Sequence, residues 1–283
     1  MHYSKLIHSA SIVISALVGI TAASAADLGP RAYTKAPVVV DASYNWSGFY
    51  VGLNAGGEWS RSNAATTTIF SPPGYFANTS PAAIGLAGAQ RVNSSGFTGG
   101  LTAGYNWQAS NIVFGIESDF NYFGVKGSST GSGIYPCCAP TGFTVNTSVS
   151  SDWLITLRPR VGFAANNWLL YVTGGLAVAN LKSSYSFTDT FDTATESASI
   201  SKTKAGWTVG VGTEYALMNG WSVKAEYLYV DLGSENTTST NLRAGVPTVA
   251  HPTNVFSHSV DLRSNIVRGG LNYKFGGPVA ARY

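Results

Sequence analysis

The chain has 283 residues, of which 11% are charged and 12% aromatic, with 32 glycines and a net charge of +3. A soluble α/β domain carries roughly 25% charged residues, and a disordered chain lacks this share of aromatics. Both classes are therefore disfavoured, and so small a net charge argues against a nucleic-acid partner.

The first 25 residues read as a secretory signal. Lys5 with His2 and His8 makes a basic start, 12–23 is apolar, and Ala23-Ser24-Ala25 supplies the small-x-small cleavage pattern. Residues 26–47 are expected to be a flexible leader, interrupted by Pro30 and Pro37. No later run approaches the roughly 20 apolar residues that a membrane helix needs. A membrane protein with this sequence must then be a closed barrel, because an open sheet leaves backbone groups unpaired in lipid.

Eight stretches alternate apolar and polar residues, the pattern of strands with two different faces. The first, 49–59, puts Phe49, Val51, Leu53 and Trp59 opposite Gly52, Asn54 and Glu58. A loop is expected over 60–94. The second, 97–108, turns tightly through 109–111 into the third, 112–122, where Phe114, Ile116 and Phe120 oppose Glu117 and Asp119. A loop with Cys137-Cys138 is expected over 124–151. The fourth, 153–163, alternates Ile155, Leu157 and Val161 with Arg158 and Arg160, and Pro159 within it predicts a bulge or kink. Asn166-Asn167 turns into the fifth, 168–181, and a loop follows over 182–203. The sixth, 206–216, and the seventh, 221–230, flank Asn219-Gly220, a strong hairpin signal. They carry Glu214, Lys224 and Glu226 on their polar faces. A loop over 231–256 precedes the eighth, which starts near His258 and ends at Phe275, with Arg268 and Lys274 polar.

Eight strands, three short turns and four long loops predict an all-β fold: an antiparallel, up-and-down transmembrane barrel over 48–275, followed by a tail over 276–283. Its turns and both termini would be periplasmic and its loops extracellular. A lipocalin-like barrel would point the apolar face inward. Three features favour the opposite. The polar face is crowded with glycine and threonine, which suit a narrow interior. The apolar face carries aromatics at its strand ends, including Phe49, Trp59, Phe97, Trp107, Trp153, Trp168, Trp207 and Trp221. The polar-face charges balance, with Glu58, Glu117, Asp119, Glu214 and Glu226 set against Arg158, Arg160, Lys224, Arg268 and Lys274.

Four motifs carry a family resemblance: Ala25-Ala26-Asp27-Leu28, Tyr33-Thr34-Lys35-Ala36-Pro37, the run Asn45-Trp46-Ser47-Gly48-Phe49-Tyr50-Val51-Gly52-Leu53-Asn54-Ala55-Gly56-Gly57, and Gly270-Leu271-Asn272-Tyr273-Lys274-Phe275. With these the chain resembles the small alphaproteobacterial outer-membrane proteins with an OmpA-like barrel, the porin-family proteins, a group that includes surface antigens and hemin-binding proteins. The resemblance implies outer-membrane lipid and the barrel-assembly machinery as partners. Arg268, Gly270, Tyr273 and Phe275 are similar to the machinery's recognition signal. That signal commonly ends the chain, whereas here the tail leaves Phe275 and Tyr283 as alternative ends.

The lumen charges serve a salt-bridge plug or line a pore; eight strands make an interior that side chains can fill, which favours the plug. Cys137 and Cys138 are a possible disulfide, with no further metal ligand near in sequence. His251 and His258 are the candidate hemin ligands that the resemblance suggests, without an axial-ligand motif. No nucleophile, base and acid constellation is visible. The expectation is a non-enzymatic barrel with a structural or surface-interaction role, without cofactor or metal. Passive solute transport and hemin binding through the loops are the alternatives.

Overall fold

The computed structural model describes residues 44–276. The expected signal, most of the leader and the tail beyond Gly276 lie outside the described residues. Eight long strands dominate: β1 (Gly48–Thr68), β2 (Gln90–Ala109), β3 (Ile112–Ile134), β4 (Gly142–Ala165), β5 (Trp168–Asp189), β6 (Thr195–Ala216), β7 (Trp221–Ser239) and, after two two-residue strands β8 (Arg243–Ala244) and β9 (Val249–Ala250), β10 (Phe256–Lys274). Each long strand pairs antiparallel with its neighbour in the chain, β7 pairs with β10, and β1 pairs with β10 from Tyr50↔Lys274 to Thr68↔Phe256. The eight therefore form a closed ring. The tight turns lie where the sequence puts them, at 110–111, 166–167 and 217–220.

The stretches expected to be long loops are largely strand. Two connections keep a substantial excursion: β1 to β2, which includes a short helix α1 (Ser80–Gly88), and β7 to β10, which holds only β8 and β9. The 124–151 and 182–203 stretches are hairpins that prolong the wall. Their Ser and Thr residues read as loop because neither face meets lipid, yet threonine suits a water-facing pleat. Pro159 makes no bulge: it stays in register opposite Ile116. The β4–β5 pairing also keeps its count across it, and the register shift lies instead between Ser150 and Leu154. Pro159 faces outward, so the ladder loses a donor there without being re-aimed.

Two ladders stop short of the hairpin tips: β2 and β3 pair only as far as Thr98↔Phe123, though their backbones stay close at Gly96 and Gly124, and β6 and β7 part at an open seam. β6 and β7 pair only as far as Trp207↔Asp231, while β6 stays with β5 up to Thr195 and β7 stays with β10 up to Ser239. β7 carries an extra residue here, opposite the register shift at Asp261/Arg263. Gly233 sits at φ +68°, a backbone state open to glycine. Beyond it, side chains hold the seam. Lys202 and Lys204 share the Glu235 carboxylate, Ser239 bonds Glu196, and Asn241 pairs with the Ser197 backbone.

The apolar face points outward. Leu53, Leu101 and Leu170 are 61%, 61% and 66% exposed, a surface that suits lipid rather than water. Aromatics bound this band. Near the short turns lie Phe49, Trp107, Phe163, Trp168 and Trp221; towards the long hairpins lie Trp59, Phe97, Tyr122 and Trp207. Trp153, Tyr215 and Tyr229 are half-buried within the same belts. Phe49 to Trp59 is ten residue steps, roughly 33 Å of strand, which a tilt of about 40° reduces to the ~25 Å band of outer-membrane barrels. β1 then continues nine residues to Thr68, with outward Arg61, Asn63 and Thr67.

Candidate functional site

The interior is filled from end to end. At the short-turn end Trp46, Val113, Ala164, Leu169, Tyr171 and Ala216 cluster. Residues 44–47, expected in the leader, therefore pack into the barrel mouth, and the Trp46 backbone N–H bonds Gln108 Oε1 at 2.7 Å. Next lies a charge network, then an apolar cluster with Phe123, Leu154, Leu181, Leu228, Val230 and Ile266. The far end is closed by Phe76, Ile84, Tyr135, Phe143, Phe187 and Phe256.

Arg158 is the hub of the network and is fully buried. Its Nη2 donates to Glu117 Oε1 at 2.7 Å and to Asp119 Oδ2 at 2.8 Å, and its Nη1 to Glu226 Oε1 at 3.1 Å. Arg160 Nη1 reaches Glu117 at 3.3 Å and Glu214 at 3.4 Å. Lys224 Nζ lies 3.0 Å from both Glu117 oxygens. Arg268 donates to Glu226 at 2.5 Å and also pairs with Asp119. Alternation on β3, β4, β6, β7 and β10 sends these eight side chains inward. Four cations then meet four carboxylates, as buried ions require.

Two tyrosines complete the network, and glycines make room for them. A Cβ at Gly104 would lie 2.3 Å from the Tyr50 hydroxyl, and one at Gly212 would lie 2.4 Å from the Tyr171 ring. Tyr50 donates to Glu117 at 2.7 Å and Tyr171 to Glu226 at 3.0 Å. The Arg160 guanidinium sits between their rings, 4.8 and 5.0 Å from the centroids, a cation–π arrangement.

Two of the ten expected lumen charges stand apart. Glu58 is buried, but it accepts from Ser60 at 2.5 Å and Ser264 at 3.0 Å rather than meeting a cation, and its Oε1 is left without a partner. It lies too far along β1 to reach the arginines. Lys274 is not in the lumen: it bonds the Asn45 carbonyl and lies over the Tyr44 ring at the short-turn rim. Of the residues resembling the assembly signal, Arg268 and Gly270 belong to the interior side, and exposed Phe275 stacks on Phe49 with centroids 5.7 Å apart.

The far end brings together residues distant in sequence. Cys137 and Cys138 are joined as a disulfide at the β3–β4 turn. With Tyr75, Phe76, Ala77, Ser80, Tyr135 and Phe191 they line a small cleft. Asp189 Oδ2 accepts from Tyr75 at 2.6 Å and Tyr135 at 2.9 Å, tying three hairpin tips together. Burial first and the Asp189 carboxylate second hold both phenols above their usual range. His258, expected near the start of the eighth strand, does not stand free as a loop ligand would. It is buried in β10, with Nδ1 3.0 Å from Thr66 Oγ1 and Nε2 3.3 Å from Glu196 Oε1. His251 lies against Tyr75. Among the described residues no group of three or more His, Cys, Asp or Glu side chains is placed to hold a metal ion. Sequence reasoning missed the inward Phe123, Leu154, Leu228 and Val230. Each keeps the inward parity of its strand, which is the signal that finds them.

A model of the outer membrane protein beta-barrel domain matches residues 13–275. The chain belongs to this family. It is 35% identical to the 31 kDa outer-membrane immunogenic protein of Brucella melitensis, over 94% of this chain and 99% of that one. It is 28% identical to the 25 kDa outer-membrane immunogenic protein of Brucella abortus, over 82% and 88%. Among solved structures, outer membrane protein OprG from Pseudomonas aeruginosa covers 81% of this chain and 98% of its own, at 10% identity and a TM-score of 0.42. This member of the family is an outer-membrane β-barrel protein, as the alphaproteobacterial resemblance implied.

Proposed function

We propose that this barrel is a non-enzymatic, non-conducting surface protein: a closed frame that holds four long hairpins away from the membrane. The observation that carries the reading is the filled lumen. A solute would have to part Arg158 from three carboxylates and then cross a buried apolar layer. Removing one partner of a buried ion pair costs about 3–5 kcal/mol, and breaking several at once is prohibitive for passive flow. The first strand begins and the last strand ends on the short-turn side, at Gly48 and Lys274, a side read here as periplasmic, with the hairpins facing outward. The even strand count supports this, together with turns of two to four residues against hairpins that extend the wall.

Single-channel recording of the refolded full chain in a planar bilayer tests the frame, beside a heat-shift gel proving that it folded. Folded protein is expected to give no conductance steps. Reproducible steps would establish a pore and overturn the reading. Protease added outside intact cells tests the orientation by cutting at the hairpins and not at a tag on the C-terminus.

A further inference from the structure

We propose that the wall just beyond the outer aromatic belt is a basic collar that binds the phosphate groups of an anionic glycolipid in the surrounding leaflet, with Arg61 and Arg263 as its centre. The leaflet in question rests on the orientation proposed above.

Arg61 on β1 stands directly opposite Arg263 on β10. Both are exposed and point outward, two residues beyond the pair Trp59↔Asn265. That is roughly 6–7 Å of strand past the belt, the depth of lipid headgroups. Like charges directly opposite in a ladder repel, so the arrangement lacks something within the chain. Arg263 has partial relief from Asp231 at 3.2 Å and Asp261 at 3.7 Å. The Asp261 carboxylate is also engaged by the Asn63 backbone N–H at 2.5 Å and side-chain amide at 3.0 Å. Arg61 has no carboxylate partner among the described residues. A phosphate placed between two guanidiniums answers both, since Arg binds phosphate through paired charge-assisted hydrogen bonds.

The same zone is basic around the ring. Arg91 follows on β2 and Lys126 on β3, and Lys182 on β5 pairs with Asp152. Five outward Lys and Arg side chains thus meet three acids here, and two of the acids are tucked away. Asp231 and Asp261 are 16% and 14% exposed, whereas Arg263 is 51%. The approaching membrane therefore meets cations. Between the two aromatic belts the outward face carries no charged side chain among the described residues, so the collar is a sharp boundary. Trp59 beneath it offers the amphipathic ring that settles at this depth.

The full chain, refolded in zwitterionic micelles and verified by heat-shift gel, is titrated with bisphosphorylated lipid A and separately with its dephosphorylated form. Bound lipid is read by native mass spectrometry. The expected result is a preference of about tenfold or more for the phosphorylated lipid, weakened by salt and lost in the double variant Arg61→Gln, Arg263→Gln. Arg243→Gln, a cation outside the collar, keeps wild-type binding. Arg61→Gln alone carries the discriminating sign: it weakens lipid binding while leaving lipid-free stability unchanged or slightly raised. Equal binding of both lipids, undiminished binding by the double variant, or displacement by inorganic phosphate at comparable concentration would each overturn the proposal. Micelles present both belts, so a reversed orientation leaves this result intact and shows only in the protease experiment.

Discussion

Arg158 is the residue on which the lumen depends, because its guanidinium serves Glu117, Asp119 and Glu226 at once. Replacing it with glutamine leaves three buried carboxylates short of a counter-charge. Urea unfolding in lipid vesicles is expected to show a loss of about 3–5 kcal/mol. Neutralising Arg160 as well should deepen the loss without producing conductance, since the apolar layer beyond the network stays in place. The charged residues of this site were legible in the sequence because alternation assigns them to one face. Their partners were not. Nothing in the spacing of Glu58 says that it stops at Ser60 and Ser264, and nothing at Lys274 says that it lies beyond the lumen's end. Depth along the barrel depends on strand stagger, which pairing across the ring decides.

The hairpin tips behave as an element of their own, tied by Asp189 to Tyr75 and Tyr135. Both phenols titrate above their ordinary value of 10.0 when folded, chiefly because they are buried. A raised folded value means that the contribution is whole below the unfolded pKa of about 10 and is lost as pH rises above it. Limited proteolysis at the tips should therefore accelerate above about pH 10 while the membrane part stays protected, and Asp189→Asn should accelerate it at neutral pH. The seam gives a second element-scale expectation. Glu235→Ala removes the carboxylate that Lys202 and Lys204 share. An exposed pair of this kind is worth about 0.2–1 kcal/mol. Amide exchange over residues 196–206 should then rise about two- to fivefold, with β6 below Trp207 unchanged. An unchanged rate at the seam would mean that the side-chain bridges do not hold it.

For the whole molecule, closure of the ring is what turns weak strands into a stable wall. Every edge is paired through the lipid band, and the two ladders that end early, β2–β3 at Thr98↔Phe123 and β6–β7 at Trp207↔Asp231, do so at its aromatic edge, beyond which water can satisfy the backbone. Opposite ends of the chain, β1 and β10, make the closing ladder, so removing the last strand should abolish the heat-shifted form on a gel rather than merely weaken it.

By itself the sequence determined the number of membrane strands, the three tight turns, the lipid-facing side and the face that carries the charges of the lumen network. Period-two alternation and turn residues are local, and each can be read within a dozen positions. Only the tertiary structure decided how far the strands run past the membrane, where the seam opens, that Trp46 fills the barrel mouth and that His258 lies inside. It also placed Arg61 against Arg263. These outcomes rest on the register between strands up to 224 residues apart in the chain, as at Tyr50↔Lys274, and register is set when the ring closes and its interior packs.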